Sequence, residues 1–425
     1  MSRTKKVLVT LKALFLILTV AKLNALNYYP QFYQPRAFFG EPRLARSWLT
    51  SFEFTLRGGH ALNGYDGGGH KVNTLNIYGW ENIAMIGKNV PQAVLNCNSG
   101  CLLNTAWEYE SSSGYFGKLG VTGKCSSIEF LPVITQNFDK GFFVSLSIPI
   151  KKETVKDIFY KEYTTSTNIA PGLNYIQWQN TINNIEENLS QYHVYVGTSK
   201  TSGLGDIQLF GGWTINYEDL SFLDYIDGTI AAGVNFATSK KPSANAPWCL
   251  PLGYEGHTGF PLIIAASIGA LDWFTLGIQT GAMWFNNQRR LMLLKTAEEQ
   301  EGWIRLPLAC ANVNKGTIWH VDEYLKLDHL VGGFSLFLGF SHDHANKTCA
   351  TPIDQETFDR TIVNSEERLQ PWTMTAFHFL FEFDFATFEH PNVPRLSFTI
   401  DKVIHGKRVF DSALFGAFVG LDCEW

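Results

Sequence analysis

Long stretches of the chain alternate strictly between two kinds of residue, and this alternation constrains the fold more than any other feature. In Trp372–Phe385, one face carries Phe377, Phe379, Phe381, Phe383 and Phe385. The opposite face carries Ala376, His378, Leu380, Glu382 and Asp384. A period of two residues is typical of a β-strand whose two faces meet different surroundings. Strands of soluble proteins average about 5–6 residues, whereas a tilted strand that crosses a bilayer needs about 9–11. The length of this stretch therefore favours a membrane-spanning strand.

The same alternation recurs along the chain. In residues 413–425 one face is apolar and ends on Trp425, and the other face ends on Asp422 and Glu424. Similar stretches are Asp206–Tyr217, Tyr225–Ala237 and Trp273–Phe285, with shorter ones at Phe142–Ile150 and Phe334–Phe340. Weaker candidates are Trp48–Leu56, Val72–Tyr78, Phe116–Gly123, Ser127–Thr135, Leu262–Leu271, Gly302–Leu308, Ile318–Leu327 and Arg395–Ile404. Together these predict an all-β fold, a transmembrane antiparallel up-and-down β-barrel of about 12–16 strands.

The linkers between the predicted strands differ in length. The turn at Asp272 must be tight, because it lies between two long strands. Long polar linkers are Glu81–Ser113, Lys151–Thr201, Ser239–Phe260, Asn286–Glu301 and Ser341–Gln370. Short turns on one side and long extracellular loops on the other are typical of outer-membrane barrels. We also predict a short helix within Gly172–Gln191.

The N-terminus predicts export. Residues 1–25 combine the basic residues Arg3, Lys5 and Lys6 with a short apolar core and an imperfect small-residue cleavage site at Leu23–Ala25. This is the pattern of a cleaved signal peptide, and its core is too short for a spanning helix. Residues 26–46 are expected to form an N-terminal arm or plug, or an ordered periplasmic lead-in, before a barrel at 47–425. The predicted location is the outer membrane of a Gram-negative-type bacterium, with outer-membrane lipid as a partner.

Charge and cysteine content bear on possible partners and on disulfide bonding. Residues 1–25 hold five of the 34 basic residues and no acidic residue, so the rest of the chain is more acidic than the overall net charge of −5. Without a basic run, nucleic acid is not expected as a partner. Cys97 and Cys101 flank the turn-prone Asn-Ser-Gly and can form a local disulfide in an oxidising compartment, or remain two free thiols. No cofactor is predicted.

Polar residues on the predicted inner faces are candidates for the lining of a pore. They are Gln208, Thr214, Asn216, Gln279, His378, Glu382, Asp422 and Glu424. The acidic net charge indicates a mild preference for cations. We therefore favour an outer-membrane channel or transporter for small solutes.

Two short motifs resemble those of a known family of proteins. The strand start Ser202-Gly203-Leu204-Gly205-Asp206-Ile207 and the strand end Ala232-Gly233-Val234-Asn235-Phe236-Ala237-Thr238-Ser239 resemble those of FadL-type and phenol-degradation-pathway-type outer-membrane transporters. Ala237 and Ser239 stand where those proteins have proline and glycine. The resemblance implies a monomer of about 14 strands, with an N-terminal plug, that passes hydrophobic or aromatic small molecules. Trp425 resembles the terminal aromatic signal read by the barrel-assembly machinery.

Several histidines are candidates for metal binding or catalysis. His342 and His344 would point the same way on a strand, as metal ligands can, but no further ligands are identifiable, so no metal site is predicted. His320, Asp322 and His329 surround another strand, and His378 shares a face with Glu382. An outer-membrane hydrolase would need a serine and a histidine on neighbouring strands, held by a third polar group. No nucleophile motif is present, so no catalytic residue is assigned. The alternatives to a channel are an adhesive or structural surface barrel, a hydrolase and a secreted β-sandwich.

Overall fold

The computed structural model describes residues 48–91, 94, 115–218, 223–271, 273–331, 333–385 and 394–424. The predicted signal peptide (1–25), the predicted arm or plug (26–46), Cys97, Cys101 and Trp425 lie outside these residues. Among the described residues most of the regular secondary structure is β. The strands are β1 Leu49–Ala61, β2 Asn63–Tyr65, β3 Lys71–Asn73, β4 Glu81–Asn82, β5 Lys118–Asn137, β6 Phe142–Ser147, β7 Ile150–Glu162, β8 Ser199–Leu204, β9 Ile207–Glu218, β10 Tyr225–Phe236, β11 Gly259–Ala270, β12 Phe274–Phe285, β13 Gln288–Leu293, β14 Leu308–Asn314, β15 Ile318–Val331, β16 Phe334–Ala345, β17 Cys349–Pro352, β18 Trp372–Asp384, β19 Pro394–Lys407, β20 Val409–Phe410 and β21 Ala413–Glu424.

The long strands form a closed antiparallel barrel of 12 strands. Each long strand pairs with the next one along the chain, and β1 closes the ring by pairing with both β5 and β21. The predicted up-and-down barrel is confirmed, at the lower end of the predicted range and below the 14 strands that the resemblance implied. β5 accounts for part of the difference, because this single strand of 20 residues covers two predicted strands. Gly302–Leu308 was wrongly predicted as a strand, since all but its last residue precede β14.

Two neighbouring barrel strands are interrupted at the same height. β6 and β7 pair with consecutive parts of β5, and the break between them falls at Pro149. β8 and β9 pair in the same way with β7 and β6, with a break at Asp206. Proline has no N–H to donate to a sheet, but its carbonyl accepts a bond of 2.7 Å from the N–H of Gly205. The two interrupted strands therefore remain part of one continuous barrel wall.

The two ends of the barrel differ as predicted. One end has short connections, such as the one between β11 and β12, and also holds Leu49 at the start of β1 and Glu424 at the end of β21. At the other end, long segments carry the short strands and the helices α1 Tyr175–Asn183, α2 Ile185–Ser190 and α3 Arg360–Val363. The predicted helix in Gly172–Gln191 is confirmed by α1 and α2.

The outer surface of the barrel is apolar. Exposed side chains from many strands form a belt that includes Phe54, Ile128, Phe142, Leu209, Ile230, Ile264, Ile278, Phe340, Phe398 and Val419. Trp213, Tyr217 and Trp273 lie near the short-turn end, and Trp284 and Trp319 lie near the long-loop end. An apolar band between two aromatic girdles is the lipid-facing surface of a membrane barrel. No helix among the described residues has both the length and the apolar character to cross a membrane.

The long segments pack together at one end of the barrel around their own hydrophobic core, which we call the loop layer. Trp178 of α1 and Leu189 of α2 are buried in it together with Trp248 and Trp303. The side chain of Asn174 caps α1 by accepting bonds from the N–H groups of residues 176 and 177. The loops are thus folded structure, and their residues have defined positions over the mouth of the barrel.

Candidate functional site

Most of the predicted lining residues lie on the inner face of the barrel and are hydrogen-bonded there. The hydroxyls of Thr214 and Thr229 are 2.9 Å apart, and the amide of Gln279 donates to Asp322 at 3.4 Å. Glu382 accepts a bond of 2.8 Å from the hydroxyl of Ser397. The inner face is therefore polar where the outer face is apolar, as the alternation predicted.

The remaining predicted residues are spread along the wall. Asp422 accepts bonds from Ser51 at 2.7 Å and from Arg395 at 3.0 Å. Gln208 and Asn216 are half-buried. Glu424 is the last residue of β21 and pairs with Leu49. The predicted set thus spans both ends of the barrel and does not form one constriction.

Two buried arginines, which the sequence analysis did not single out, organise the interior. Arg57 donates to Glu129 through Nε at 2.8 Å and through Nη2 at 2.7 Å. Its Nη1 lies 4.0 Å from Asp401, which is two strands away around the ring. Lys151 adds a second contact to Glu129 at 3.7 Å. A buried charge requires such partners, and a lone arginine in a strand gives no sign of where its partner will lie.

The second arginine lies nearer the short-turn end. Arg395 contacts Asp422 at 3.0 Å, Glu53 at 3.4 Å and Glu382 at 3.9 Å. Asp422 is on the adjacent strand β21, whereas the contact with Glu53 of β1 reaches past β21, which is possible only on the concave inner face of the ring. The ring of Phe418 lies 5.8 Å from the guanidinium. These contacts fix two of the predicted lining residues, Glu382 and Asp422, in a network of ion pairs.

Two histidines complete the polar interior. The hydroxyl of Ser341 lies 2.8 Å from Nε2 of His378, whose Nδ1 lies 2.8 Å from Asp401. These three side chains come from the neighbouring strands β16, β18 and β19, and all are buried. His320 lies between Asp343 at 2.8 Å and Asp322 at 2.6 Å. Both arrangements depend on strand register, which sequence alone does not give.

The other histidines raised by the sequence do not join this interior. His342 and His344 alternate with the inward residues of β16 and are exposed on its outer face, beside Thr375 and Asn346. Nothing is described of the side chain of His329. Among the described residues, no group of three or more His, Cys, Asp or Glu side chains is placed to hold a metal ion. Cys125, Cys249, Cys310, Cys349 and Cys423 are free thiols.

Two of the cavities at the long-loop end lie on opposite sides of the same short segment. The inner cavity, of about 30 Å³, is lined by barrel residues that include Arg57, Glu129 and Gln208. The outer cavity, of about 360 Å³, lies among the loops and reaches the ends of strands at Ile318, Ala345 and Trp372. Gly253 lines both cavities. We call the segment 252–254, which separates them, the partition.

Asp206 holds the partition in place. Its carboxylate accepts bonds from the N–H of Tyr254 at 2.6 Å and from the N–H of Ser239 at 2.9 Å. Asp206 itself is buried, and it belongs to the Gly-Leu-Gly-Asp motif of the sequence analysis. A Cβ atom on Gly253 would collide with this carboxylate, so only glycine allows the close approach.

The outer cavity is strongly basic. It is lined by Lys241, Arg289, Arg290, Lys315 and Arg368, and Glu255 is the single acidic residue among the described residues of the lining. Burial alone would raise the pKa of Glu255, but Arg290 and Lys315 outweigh it and hold this pKa well below its usual range. Burial lowers the pKa of nearby His257 to about 4, and Lys315 and Arg290 act in the same direction. The electrostatic potential here is therefore positive.

Comparison with known proteins gives only distant similarity. No protein-family model matches the chain, and no curated protein matches its sequence. An outer membrane channel from Pseudomonas putida F1 has 10% identity and a TM-score of 0.49, over 92% of this chain and 100% of the channel. The toluene transporter TodX of Pseudomonas putida has 8% identity and a TM-score of 0.34, over 95% and 96% of the two chains. The translocator domain of the autotransporter NalP from Neisseria meningitidis has 11% identity and a TM-score of 0.38, over 89% and 90%. These similarities are too distant to transfer a solute or an activity to this chain.

Proposed function

We propose that this chain is an outer-membrane channel that passes small organic solutes. The observation that carries the proposal is the pair of cavities that meet at Gly253, one among the loops and one inside the barrel. The partition, a short segment without regular secondary structure, lines the inner cavity with all three of its residues and reaches the outer cavity at Gly253. The polar inner face supports passage of water-soluble molecules, because its side chains can replace the hydrogen bonds of a solute.

In this proposal the partition is the gate. It is tied to the wall by the bond that Asp206 accepts from the N–H of Tyr254, and Gly253 lies close against the same carboxylate. Displacement of the partition would join the two cavities and open a route toward Gln208 and the other predicted lining residues. A gate of this kind needs no movement of the barrel wall.

The test is solute flux through the purified, refolded barrel in liposomes, with glucose as a neutral probe and potassium chloride conductance in planar bilayers as a second readout. Asp206→Ala removes the acceptor for the two N–H groups, so we expect the partition to loosen and conductance to rise severalfold. The control is Glu187→Ala, which removes an exposed carboxylate in the loop layer far from the partition in sequence. No flux through the wild-type barrel, together with none through the Asp206→Ala variant, would overturn the proposal.

The proposal includes how the chain reaches the membrane. Residues 1–25 would be removed after export, residues 26–46 would form an arm or plug, Trp425 would be read by the barrel-assembly machinery, and Cys97 would pair with Cys101. The folded protein would be a monomer with its loop layer outside the cell. Heat-dependent gel mobility of the outer-membrane fraction, with the mass and N-terminus of the mature chain, tests these points.

A hydrolase is the second candidate, because Ser341, His378 and Asp401 have the hydrogen-bond order of a nucleophile, a base and an orienting acid. In such a site His378 would take the proton of Ser341 through Nε2 while its Nδ1–H donates to Asp401. Ser341 is fully buried, so an ester could reach it only after the gate opens.

The hydrolase candidate has its own test. A fluorescent fluorophosphonate would label an activated serine in the wild type and in the Asp206→Ala variant. Ser341→Ala should abolish the labelling, and Ser335→Ala, which changes another inward serine of β16, should retain it. Absence of labelling in both barrels would leave the serine, histidine and aspartate as structural members of the polar interior.

A further inference from the structure

The outer cavity collects basic side chains from four separate segments of the loop layer. Lys241 comes from the segment between β10 and β11, Arg289 and Arg290 from β13, Lys315 from the segment after β14, and Arg368 from the segment before β18. Solvated lysines and arginines normally spread apart, because like charges repel. We propose that the outer cavity is a binding site for a small soluble organic anion that carries two or more negative charges, such as a phosphate monoester.

The charge balance of the lining supports a ligand with more than one negative charge. Glu255 contacts Arg290 at 2.9 Å and Lys315 at 3.4 Å, so one carboxylate serves two cations. Arg368 has an ion pair with Glu366. Lys241 and Arg289 have no ion-pair partner among the described residues. The cavity therefore keeps a surplus of positive charge that the described residues do not neutralise.

The remaining lining supports an organic body on this anion. Trp303, Trp372, Leu293 and Val313 give the cavity apolar surface beside its charges. The ring of Trp303 is held by Tyr78 at 4.6 Å and by Trp248 at 5.5 Å between ring centroids. A cavity of about 360 Å³ with apolar walls and a few charged groups is typical of a small-molecule site. Guanidinium groups bind phosphate and carboxylate through paired hydrogen bonds.

The position of the cavity favours a soluble ligand over a lipid headgroup. Ile318, Ala345 and Trp372 are buried at the ends of their strands, whereas the neighbouring Trp319 is exposed toward lipid. The cavity thus lies over the lumen, on the inner side of the wall. The inner cavity below it is lined by Arg57 and Lys151 together with Glu129 and Asp206, so its described residues offer no surplus of positive charge to an anion. The site therefore retains the anion among the loops.

Binding requires only the folded loop layer and not conduction, so the test separates this site from the proposed channel. The full mature chain is refolded in detergent and titrated calorimetrically with phenyl phosphate, with phenol as the neutral counterpart of the same shape. We expect phenyl phosphate to bind, with an affinity that falls as salt concentration rises, and phenol to bind much more weakly.

Two double variants locate the site. Lys241→Gln with Arg289→Gln removes the two cations without an ion-pair partner, and we expect the dissociation constant for phenyl phosphate to rise about tenfold or more. Lys240→Gln with Lys200→Gln removes two exposed lysines that line a neighbouring groove and not this cavity. We expect this control to bind as the wild type does.

Three results would overturn the assignment. One is equal affinity for phenyl phosphate and phenol, and another is equal weakening by the two double variants. The third is binding of phosphatidic acid in mixed micelles by a barrel that does not bind phenyl phosphate, which would place a lipid headgroup at these cations instead. A barrel that binds phenyl phosphate but passes no solute would retain this site and lose the channel.

Discussion

The interior of the barrel and the outer cavity carry opposite net charges, and these charges have different roles. Buried carboxylates dominate the inner face, where Glu129, Asp206, Asp227, Asp322, Asp343, Glu382 and Asp401 accompany Arg57 and Arg395. The outer cavity has five basic residues and one acidic residue in its lining. Inside, each arginine contacts two or more carboxylates within 4.0 Å. In the cavity, Lys241 and Arg289 have no ion-pair partner among the residues that the structure describes.

This difference separates charges that hold the structure from charges that are available to a ligand. A buried ion whose partner is removed destabilises the fold, because its desolvation is no longer compensated. An exposed cation without a partner contributes little to stability. The interior should therefore respond to substitution through stability, and the outer cavity through binding.

The largest effect is expected at Arg57. Arg57→Ala leaves Glu129 and Asp401 buried with one cation fewer, so we expect the free energy of unfolding to fall by about 3–5 kcal/mol. Urea unfolding of the barrel in lipid vesicles, followed by tryptophan fluorescence, measures this loss. Arg57→Lys retains the charge but not the paired bonds to Glu129, and should lose less. If Arg57→Ala unfolded at the wild-type urea concentration, the paired interior would not be a source of stability.

The barrel itself was predictable because alternation is a local property. The outward face of β18 is marked by Phe377, Phe379 and Phe381, and this pattern does not depend on any other strand. The strand number was not predictable from the same signal, since β5 reads as two strands but pairs as one. β5 is one strand because its pairing with β1 over residues 125–136 overlaps its pairing with β7 over residues 119–130, and pairing is a long-range property.

A smaller effect is expected at Glu81, a buried acid of the loop layer that forms no ion pair with an arginine among the described residues. Glu81 accepts bonds from the N–H groups of Trp303 at 2.7 Å and Ile304 at 2.9 Å. Burial raises the pKa of Glu81 from 4.5 to about 7, although these N–H groups and Arg305 act against the rise. The folded loop layer thus binds a proton more tightly than the unfolded chain does.

The sign of the pH dependence follows from this raised pKa. The contribution of Glu81 to stability is fully present below about pH 4.5 and is lost as pH rises through about 7. The loss amounts to about 3 kcal/mol. Urea unfolding at pH 5 and pH 8 measures it. Glu81→Gln cannot titrate, so its difference between the two pH values should be smaller than that of the wild type by slightly less than this amount, because part of the loss has already occurred at pH 5. An unchanged difference would show that Glu81 titrates normally in the folded chain.

The candidate site was less predictable than the fold. His378, Glu382 and Asp422 could be placed on the inner face from alternation, but their partners could not. Ser341 meets His378 only because β16 and β18 pair in the register that brings Gly339 opposite His378. The basic lining of the outer cavity was harder still to predict, because Lys241, Arg289 and Arg368 lie in linkers with no periodic signal. The acidic net charge of the chain indicated a preference for cations, whereas this lining is basic. Packing of the loop layer brings them together.

The smallest effect on stability is expected where the effect on binding is largest. The double variant Lys241→Gln with Arg289→Gln should unfold within about 0.5 kcal/mol of the wild type, because neither cation has an ion pair to lose. Phenyl phosphate at a hundred times its dissociation constant should stabilise the wild type by about 2.7 kcal/mol, since it binds only the folded loops. The same concentration should stabilise the double variant much less. Urea unfolding with and without phenyl phosphate gives both values in one experiment. If the free energy of unfolding of the double variant fell by several kcal/mol without ligand, these two cations would stabilise the fold as Arg57 does. The contrast between the barrel interior and the outer cavity would then be wrong.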